Sequence, residues 1–416
     1  MSAEKKVPEI RFKGFSGGWN ISQLSKLAFF NPKEELPMTF KYVDLESVKG
    51  TSLLGYREEL KESAPSRAQR LAKKGDVFFQ TVRPYQKNNY LFNMEEIDFV
   101  FSTGYAQLRP YSDGNFLLNL IQRDSFVKDV LDNCTGTSYP AINASILASL
   151  VVISPEAKEE QTQIGNYFQK LDSLINQHQQ KHDKLSSIKK AMLEKMFPKQ
   201  GETTPEIRFK GFSGEWEEKE FGACFVNVPS NTLSRADLNY KTGLAKNIHY
   251  GDVLIKFGEI LDARNELLPL ITNDDIANKL KHAALRDGDI IIADAAEDST
   301  VGKCTELFNI DEQLVLSGLH TIAVRPTLPF ASKYLGYYLN SSSYHDQLLS
   351  LMQGTKVLSI SKTTIQSTNI TFPASLEEQS AIGNYFQKLD ALINQHQQQI
   401  TKLTNIKQAC LSKLFV

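Results

Sequence analysis

A basic stretch between Lys61 and Tyr90 carries seven Lys or Arg residues and only two acidic ones. It ends in RPYQKNNY, which mixes cations with amides and tyrosines. Cations contact phosphate oxygens, and Arg, Asn and Gln can hydrogen-bond base edges. The stretch is therefore a candidate contact with nucleic acid, and the alternative is a solvated surface loop. The candidate residues are Arg67, Arg70, Lys73, Arg83, Tyr85, Lys87, Asn88 and Asn89.

Two Gly-Thr turns lie at equivalent places, GTSYP from Gly136 and GTKVLS from Gly354. Each precedes a helix start of the form P-x-x-x-x-E-Q by nineteen residues. Backbone N–H groups in such turns can bind phosphate, and the alternative is an ordinary tight turn. The candidate residues of the two turns are Gly136, Thr137, Ser138 and Tyr139, and Gly354, Thr355 and Lys356.

The second half of the chain is poorer in cations. Residues 201–373 carry 16 basic and 22 acidic side chains, a net charge of −6. A site for a polyanion in this region must therefore be a local patch. The candidate cations outside the turn are Lys241, Lys246, Lys256 and Lys303.

Four motifs of common enzyme sites are absent from the sequence. It has no phosphate-binding G-x-x-x-x-G-K-[ST], no H-E-x-x-H, no G-x-G-x-x-G after a strand and no N-P-P-Y. His178 and His182 have a spacing that could bind metal, but the second copy of this segment keeps His396 and replaces the other histidine with Ile400. We therefore expect a binding protein with no catalytic residues, no cofactor and no metal.

An internal repeat defines the organisation of the chain. EEQTQIGNYFQKLDSLINQHQQ from Glu159 returns as EEQSAIGNYFQKLDALINQHQQ from Glu377, with nineteen of twenty-two positions identical. PEIRFKGFSGGW from Pro8 returns as PEIRFKGFSGEW from Pro205, and GDVFFQ and YAQLRP resemble the later GDIIIA and TIAVRP. A repeat of this length indicates domain duplication rather than a solenoid.

The repeated segment predicts two long helices. Apolar residues and histidines spaced by four and three form a heptad seam, which favours a coiled coil. The seam residues are Ile164, Phe168, Leu171, Ile175, His178 and Leu185, and Ile382, Phe386, Leu389, Ile393, His396, Ile400 and Leu403. We expect an antiparallel pair with pseudo-two-fold symmetry and a domain at each end. The alternative is that each helix packs only on its own domain.

The regions between the helices predict mixed α/β domains. Short apolar runs indicate strands at Val77–Gln80, Phe99–Phe101, Leu150–Ile153, Val253–Ile255, Ile290–Ala293, Thr321–Val324 and Ile370–Phe372. Helices are predicted at Phe116–Asp132 and Ser332–Leu351. The expected division is domain 1–154, helix 155–199, domain 200–372 and helix 373–416.

The composition is that of a globular protein, with 41% hydrophobic and 23% charged residues. No apolar run is long enough to span a bilayer, and the Lys-rich start lacks the apolar core of a signal peptide. The four cysteines are far apart and form no CxxC pair, which fits a reducing compartment. We expect a cytoplasmic protein without a membrane segment.

Together, the repeated helix motif, the P-x-IRFKGF start and the Gly-Thr turns resemble the specificity subunit of type I restriction–modification systems. The resemblance covers the whole chain. It implies two target-recognition domains, each reading one half of an asymmetric bipartite sequence in double-stranded DNA. It also implies that the helices set the spacer and dock two methyltransferase subunits, which restriction subunits then join. It does not identify the base-reading residues, because these domains vary most within the family.

Two other classes of protein remain open from the sequence. One is a DNA methyltransferase with a built-in recognition domain, for which the cofactor and N-P-P-[YF] motifs are missing. The other is a structural coiled-coil scaffold without a role in DNA binding, for which two large globular domains would be excessive.

Overall fold

The computed structural model describes residues 6–136 and 138–416. Their contacts divide the chain into two units, Met1–Gln179 with Gln397–Val416, and Gln180–His396. Each unit therefore contains one globular domain and parts of two long helices. In the described part of the chain, no helix has the length and apolarity needed to cross a membrane.

The first unit contains domain 1, which we define as its strands and its three short helices. The strands are β1 (Asn20–Gln23), β2 (Ala28–Phe30), β3 (Thr39–Val43), β4 (Val48–Lys49), β5 (Ser52–Leu53), β6 (Arg57–Leu60), β7 (Ala68–Leu71), β8 (Val77–Gln80), β9 (Tyr90–Leu91), β10 (Phe99–Ser102), β11 (Tyr105–Pro110) and β12 (Val151–Ser154). They form two four-stranded sheets, ordered β6-β3-β10-β7 and β2-β11-β8-β9, and the antiparallel pairs β1–β12 and β4–β5.

The helices of the first unit are α1 (Gly114–Gln122), α2 (Asp124–Asp132), α3 (Ala144–Ser149) and the long α4 (Lys158–Lys195), which continues into the second unit. The predicted helix Phe116–Asp132 is thus two helices, because the backbone of Arg123 between them is extended. The core lies where β8, β11 and α1 meet the start of α4, and Phe79, Leu108 and Phe116 are fully buried there.

The second unit contains domain 2, defined in the same way by its strands and short helices. The strands are β13 (Glu217–Glu220), β14 (Phe225–Val228), β15 (Leu238–Asn239), β16 (Ala245–Ile248), β17 (Ile260–Asp262), β18 (Leu270–Ile271), β19 (Ile290–Ala293), β20 (Ala295–Ala296), β21 (Cys304–Phe308), β22 (Leu314–Ser317), β23 (Thr321–Pro326), β24 (Leu358–Ser359) and β25 (Asn369–Phe372). The sheets are ordered β14-β23-β19-β21-β17 and β15-β18-β16-β22, with the pairs β13–β25 and β20–β24.

The remaining helices include six short ones and the second long helix. They are α5 (Phe221–Cys224), α6 (Tyr250–Ile255), α7 (Asp274–Lys279), α8 (Tyr334–Leu339), α9 (Ser342–Leu349), α10 (Lys362–Gln366) and α11 (Leu376–Lys413). The predicted helix Ser332–Leu351 is again two helices. The predicted strand Val253–Ile255 is wrong, because these residues end α6. A three-residue apolar run does not distinguish helix from strand, and the His249 side chain caps this helix by accepting the Gly251 N–H.

The long helices pair in antiparallel fashion inside each unit. In the first unit, Asp172 of α4 forms an ion pair with Lys407 of α11 at 2.6 Å, and Tyr167 lies 3.4 Å from Cys410. In the second unit, the Lys189 ammonium lies 2.7 Å from the Asp390 carboxylate, at the equivalent repeat positions. Contacts between the helices therefore supplement the packing of each helix on its own domain.

The seam is buried unevenly along each helix. Three residues near each helix start are buried against the adjacent domain, and the others are partly exposed. The buried residues are Ile164, Phe168 and Leu171, and Ile382, Phe386 and Leu389. The partly exposed ones are Ile175, His178, His182 and Leu185, and Ile393, His396, Ile400 and Leu403. The two domains and the antiparallel helices confirm the predicted fold class, a mixed α/β protein with a pseudo-two-fold repeat.

The repeated IRFKGF start anchors each domain to its helix. Arg11 binds Glu160 of α4 through two hydrogen bonds of 2.7 Å, and Arg208 binds Glu378 of α11 through bonds of 2.6 and 2.7 Å. Both glutamates are buried, with 1% of each residue exposed. Paired bonds between a guanidinium and a carboxylate fix direction as well as distance. The repeated sequence motif therefore has a structural role in both units.

Candidate nucleic-acid interface

Domain 1 brings the basic loop after β8 next to the Gly136 turn. The turn is a hairpin closed by backbone bonds of 2.9 and 3.0 Å between Thr135 and Ala141. The Arg83 N–H donates to the Pro140 carbonyl at 2.7 Å, and the Ile142 N–H donates to the carbonyl of Thr81 at 3.0 Å. Two segments about fifty residues apart in sequence thus form one surface. We call it the domain 1 hairpin surface.

Arg83 and Tyr139 are the central side chains of this surface. The Arg83 guanidinium carbon lies 4.4 Å from the centre of the Tyr139 ring, and 63% of Tyr139 is exposed. The Arg83 backbone has a φ of 53°, in the left-handed region that side chains other than glycine rarely adopt. Stacking on an aromatic ring orients the guanidinium and leaves its N–H groups able to meet a phosphate or a guanine edge.

The other predicted residues of the basic loop divide into exposed groups and groups that shape the loop. Tyr85 is half exposed, and the Lys87 ammonium forms an ion pair with Asp124. The Asn88 side chain accepts the Gly50 N–H at 2.8 Å. Asn89 is buried and accepts the backbone N–H of Gln80 at 2.8 Å. The Asn89 amide is thus enclosed in the domain, and its contact with DNA stays a prediction.

The remaining predicted cations lie on β7 or directly beside it. Arg67 is exposed beside the turn after β10, where its carbonyl accepts the Thr103 N–H at 2.8 Å. Arg70 is partly buried, and this burial lowers the pKa of its guanidinium. Lys73 is 2.7 Å from Glu34, which also binds Arg109. Lys73 thus belongs to an ion-pair network within the domain.

The hairpin itself depends on glycine. Gly136 has a φ of 84° and Ser138 is exposed, whereas Thr137 lies outside the described residues. In domain 2, Gly354 has a φ of 118°, and an added Cβ would lie 2.0 Å from the Val357 carbonyl oxygen. A side chain cannot fit at that distance, so the turn requires glycine at this position.

Domain 2 places its hairpin against the equivalent strand. Gln353 and Ser359 close the hairpin, and β24 pairs with β20 in the segment that follows β19. The Ile360 N–H donates to the Asp294 carbonyl at 2.9 Å, as Ile142 does to Thr81 in domain 1. Thr355 and Lys356 are exposed at the tip. We call this region the domain 2 hairpin surface.

Three predicted cations of domain 2 are bound to the domain itself. The Lys246 ammonium is buried and donates to the Ala263 carbonyl at 2.7 Å. Lys256 donates to the Leu267 carbonyl, and Lys303 donates to a carbonyl of α6 at 2.8 Å. Burial lowers the pKa of Lys303. The DNA contact of Lys246 stays a prediction, and the ammonium groups of all three lysines already donate to carbonyls of the domain. Lys241 remains exposed.

Each hairpin pairs with the segment after β8 or β19 in the same register, so the two hairpin surfaces can be aligned residue by residue. Arg83 corresponds to Ala296, and Tyr139 corresponds to Val357, so domain 2 has no cation stacked on an aromatic ring at this position. The residues that follow β20 are Glu297 and Asp298, where domain 1 continues with Pro84 and Tyr85. The backbone pairing of the hairpin is therefore the same in both domains, whereas the side chains at the paired positions differ.

A family model for the type I restriction modification DNA specificity domain matches residues 55–187 and 241–405, together more than half of the chain. The chain belongs to this specificity family. Each of the two matched ranges includes one hairpin surface and a large part of the helix that follows it.

This specificity-family chain is similar to a curated protein and to solved structures that are described as parts of type I restriction systems. The type I restriction enzyme MjaVIII specificity subunit of Methanocaldococcus jannaschii is 24% identical over 298 residues, which cover 70% of this chain and 67% of the relative. The S subunit of a type I restriction–modification system from M. genitalium is 15% identical with a TM-score of 0.58, covering 99% of both chains. A chain from a structure of type I R-M complex assembly is 22% identical with a TM-score of 0.51, covering 96% of this chain and 97% of its own. The two structures show a shared fold.

Beside the hairpin of domain 2, this specificity-family chain carries side chains that the sequence did not single out. His320 lies next to Asp294, the residue that anchors the hairpin, and the Tyr250 ring packs on His320. A single histidine in a loop has no periodicity or spacing by which sequence analysis could find it. Elsewhere, His182 lies 3.0 Å from the neighbouring Asp183, and no group of three metal-ligating side chains occurs in the described residues.

Proposed function

We propose that this chain is the DNA-recognition subunit of a type I restriction–modification complex and that each domain reads one half of an asymmetric bipartite site in double-stranded DNA. The observation that carries the proposal is the repeated hairpin surface. Both domains hold a Gly-Thr hairpin against the segment after their central strand, yet Arg83 and Tyr139 of one correspond to Ala296 and Val357 of the other. A constant frame with different side chains suits two half-sites of different sequence.

The residues proposed to contact DNA are those that the structure leaves on these surfaces. Arg67, Arg83, Tyr85 and Tyr139 are exposed or half-buried in domain 1, and Thr355 and Lys356 are exposed in domain 2. Arg83 is the residue best placed to read a base, because its guanidinium is oriented by stacking. Lys241 and the backbone of Gly136 and Gly354 are proposed as phosphate contacts.

The long helices are proposed to set the spacer between the half-sites and to dock two methyltransferase subunits, which restriction subunits then join. Each helix has 38 residues, which corresponds to about 57 Å at 1.5 Å per residue. The near-identity of the repeated helix segments supports docking of two identical partners, because equal surfaces bind equal partners. We propose that the chain itself catalyses no reaction, needs no cofactor and acts in the cytoplasm.

The proposal is tested by methylome sequencing of cells that carry this chain and its partner methyltransferase. The expected result is one asymmetric motif made of two specified segments separated by unspecified base pairs. Methylation at a continuous or palindromic motif would contradict the two-domain reading. Methyl transfer by the purified chain alone would contradict its non-catalytic role.

A further inference from the structure

Domain 2 has His320 at the position where domain 1 has Gly104. In domain 1, the Thr81 N–H donates to the Gly104 carbonyl at 2.9 Å, beside the hairpin surface. The equivalent bond in domain 2 runs from the Asp294 N–H to the His320 carbonyl at 3.1 Å. Asp294 also accepts the N–H of Ile360 from the hairpin. His320 therefore lies one hydrogen bond away from the strand that holds the domain 2 hairpin.

The His320 imidazole is exposed and held in place. About half of its side chain is accessible, and its backbone has a φ of 53°, in the left-handed region. The Nδ1 atom lies 3.2 Å from the Asp294 carboxylate, and the Tyr250 ring packs edge-on at 5.2 Å between centroids. A left-handed backbone at a residue other than glycine costs free energy and is concentrated at functional positions. An oriented and exposed ring is suited to contact a ligand.

Lys362 supplies positive charge beside this imidazole. Lys362 is the first residue of α10, two positions after Ile360, and Lys356 is exposed at the hairpin tip. Burial raises the pKa of Asp294, and the charge of Lys362 opposes that rise. Lys362 therefore lies within electrostatic reach of the His320–Asp294 pair. A cation beside an oriented polar ring matches the division between phosphate contacts and base contacts at DNA interfaces.

We propose that His320, oriented by Asp294 and Tyr250, is the base-reading residue of domain 2 and accepts a hydrogen bond from the exocyclic amine of adenine or cytosine in the major groove. The inference rests on the proposed function. When Nδ1–H donates to Asp294, the neutral imidazole presents Nε2 as an acceptor. The N6 amine of adenine and the N4 amine of cytosine are the donors that the major groove offers.

The assignment explains how an acidic domain can read DNA. Domain 1 uses the cation Arg83 stacked on Tyr139, and domain 2 has Ala296 and Val357 at these positions. His320 and Tyr250 form the alternative pair of rings beside the same hairpin. An acceptor that selects an amine does not require a net positive charge, so the net charge of −6 in residues 201–373 presents no contradiction.

The test uses the complete complex with its methyltransferase and compares the wild-type chain with His320→Ala and His320→Gly. Glycine removes the imidazole and accepts the left-handed backbone, so this variant is expected to fold even where alanine does not. The measurements are the methylome and the binding of duplexes in which each base pair of the second half-site is replaced in turn. We expect discrimination at one A·T or C·G position of that half-site to fall about 10- to 100-fold, since a base contact is worth about 1–3 kcal/mol. Recognition of the first half-site should stay unchanged.

The control is Lys279→Ala, which removes an exposed cation from the end of α7 in the same domain. It should leave both half-sites as in the wild type. Retention of every base of the second half-site by His320→Gly would overturn the inference while leaving the proposed function intact. An equal loss on all sequences with a flatter salt dependence would assign His320 to phosphate and also overturn it. Absence of a bipartite motif with the wild-type chain would instead overturn the proposed function.

Discussion

The two domains are most alike where they meet the helices and least alike at their hairpin surfaces. Arg11–Glu160 and Arg208–Glu378 repeat the same bidentate geometry to within 0.1 Å. At the hairpins, Arg83 stacked on Tyr139 has no counterpart in domain 2, which presents His320 instead. The repeated contacts support the frame of both domains, whereas the residues that differ between the domains are the ones proposed to contact DNA. This difference also provides matched pairs of variants that test which residues stabilise the domains and which contact DNA.

The largest expected effect comes from the two phenylalanines that lie two residues after the ends of the long helices. Phe415 packs on Phe116 and Phe168 with centroids 5.6 and 6.0 Å apart, and Phe197 packs on Phe386 at 5.9 Å. Both are buried. Phe415→Ala and Phe197→Ala should each reduce the stability of their unit by about 3–5 kcal/mol, because each leaves a cavity in a core.

Hydrogen exchange read by mass spectrometry separates the two effects, since it reports the stability of each region. Phe415→Ala should increase exchange in residues 158–179, and Phe197→Ala should do so in residues 376–396. Leu392→Ala, at a position that is 43% exposed, is the control and should change little. Equal loosening of both units by either variant would show that the two cores are not separate.

A second pair of variants tests the repeated ion pairs. Glu160→Ala should lower the free energy of unfolding by about 3 kcal/mol, because removing one partner of a buried ion pair leaves the other charge without its partner. Trp19 also donates to Glu160 at 3.3 Å, whereas Trp216 Nε1 finds no acceptor in the described residues. The loss in the free energy of unfolding should therefore be about 1 kcal/mol smaller for Glu378→Ala than for Glu160→Ala. Urea unfolding of the purified chains measures both, and a larger loss for Glu378→Ala would refute the stated role of the tryptophan.

A third variant tests the hairpin surface of domain 1. Arg83→Ala in the complete complex should weaken binding to the target duplex by about 1–3 kcal/mol and relax one position of the first half-site, if the guanidinium reads a guanine edge. Lys181→Ala, on the exposed face of α4, is the control and should bind as the wild type does. Fluorescence anisotropy at several salt concentrations distinguishes the alternatives. An unchanged affinity for Arg83→Ala would remove this residue from the interface.

The smallest effect concerns the caps of two equivalent helices. Asp113 caps α1 by accepting the Phe116 N–H at 2.7 Å, whereas Glu306 of β21 accepts the Gly336 N–H of α8 at 2.9 Å. Burial raises the pKa of Glu306 to about 7, from a usual value of 4.5. Between these values the folded chain retains a proton that the unfolded chain has lost. The associated stability is thus present below the lower value and is lost as the pH rises through the higher one.

Glu306 should therefore lower the stability of the second unit by about 1 kcal/mol per pH unit as the pH rises from about 5 to about 7. Glu306→Gln removes the titration and should flatten this slope relative to the wild type. Urea unfolding midpoints across this pH range provide the measurement. A slope that persists in Glu306→Gln would place the titrating group elsewhere.

The sequence predicted elements that depend on local pattern or on the repeat. Val77–Gln80 and Ile290–Ala293 are strands with the expected bounds, and both long helices occur. The failures have a different origin. The break at Arg123 and the helix at Tyr250–Ile255 depend on tertiary packing and capping, which outweigh the weak preference of a short apolar run.

The candidate site was only partly predictable, because polar side chains choose partners that are distant in sequence. Asn89 bonds the backbone of Gln80, and Lys246 donates to the carbonyl of Ala263. Composition cannot show that these side chains bond the backbone of their own domain. The proximity of the basic loop and the Gly-Thr hairpin likewise appears only when β8 is placed beside residues 135–142. His320 lies on the surface through a backbone bond that leaves no trace in the sequence pattern.

Each domain begins and ends on neighbouring strands, since β1 pairs with β12 and β13 pairs with β25 in antiparallel fashion. The identical stretch PEIRFKGFSG precedes the first strand of each pair, and the repeated helix follows the last. In genetic terms, these repeats flank each domain with nearly identical sequence. A crossover within the flanking stretches would replace the whole domain between them and keep both the Arg–Glu anchor and the helices. One such event would change an entire hairpin surface, which point mutations would alter one residue at a time.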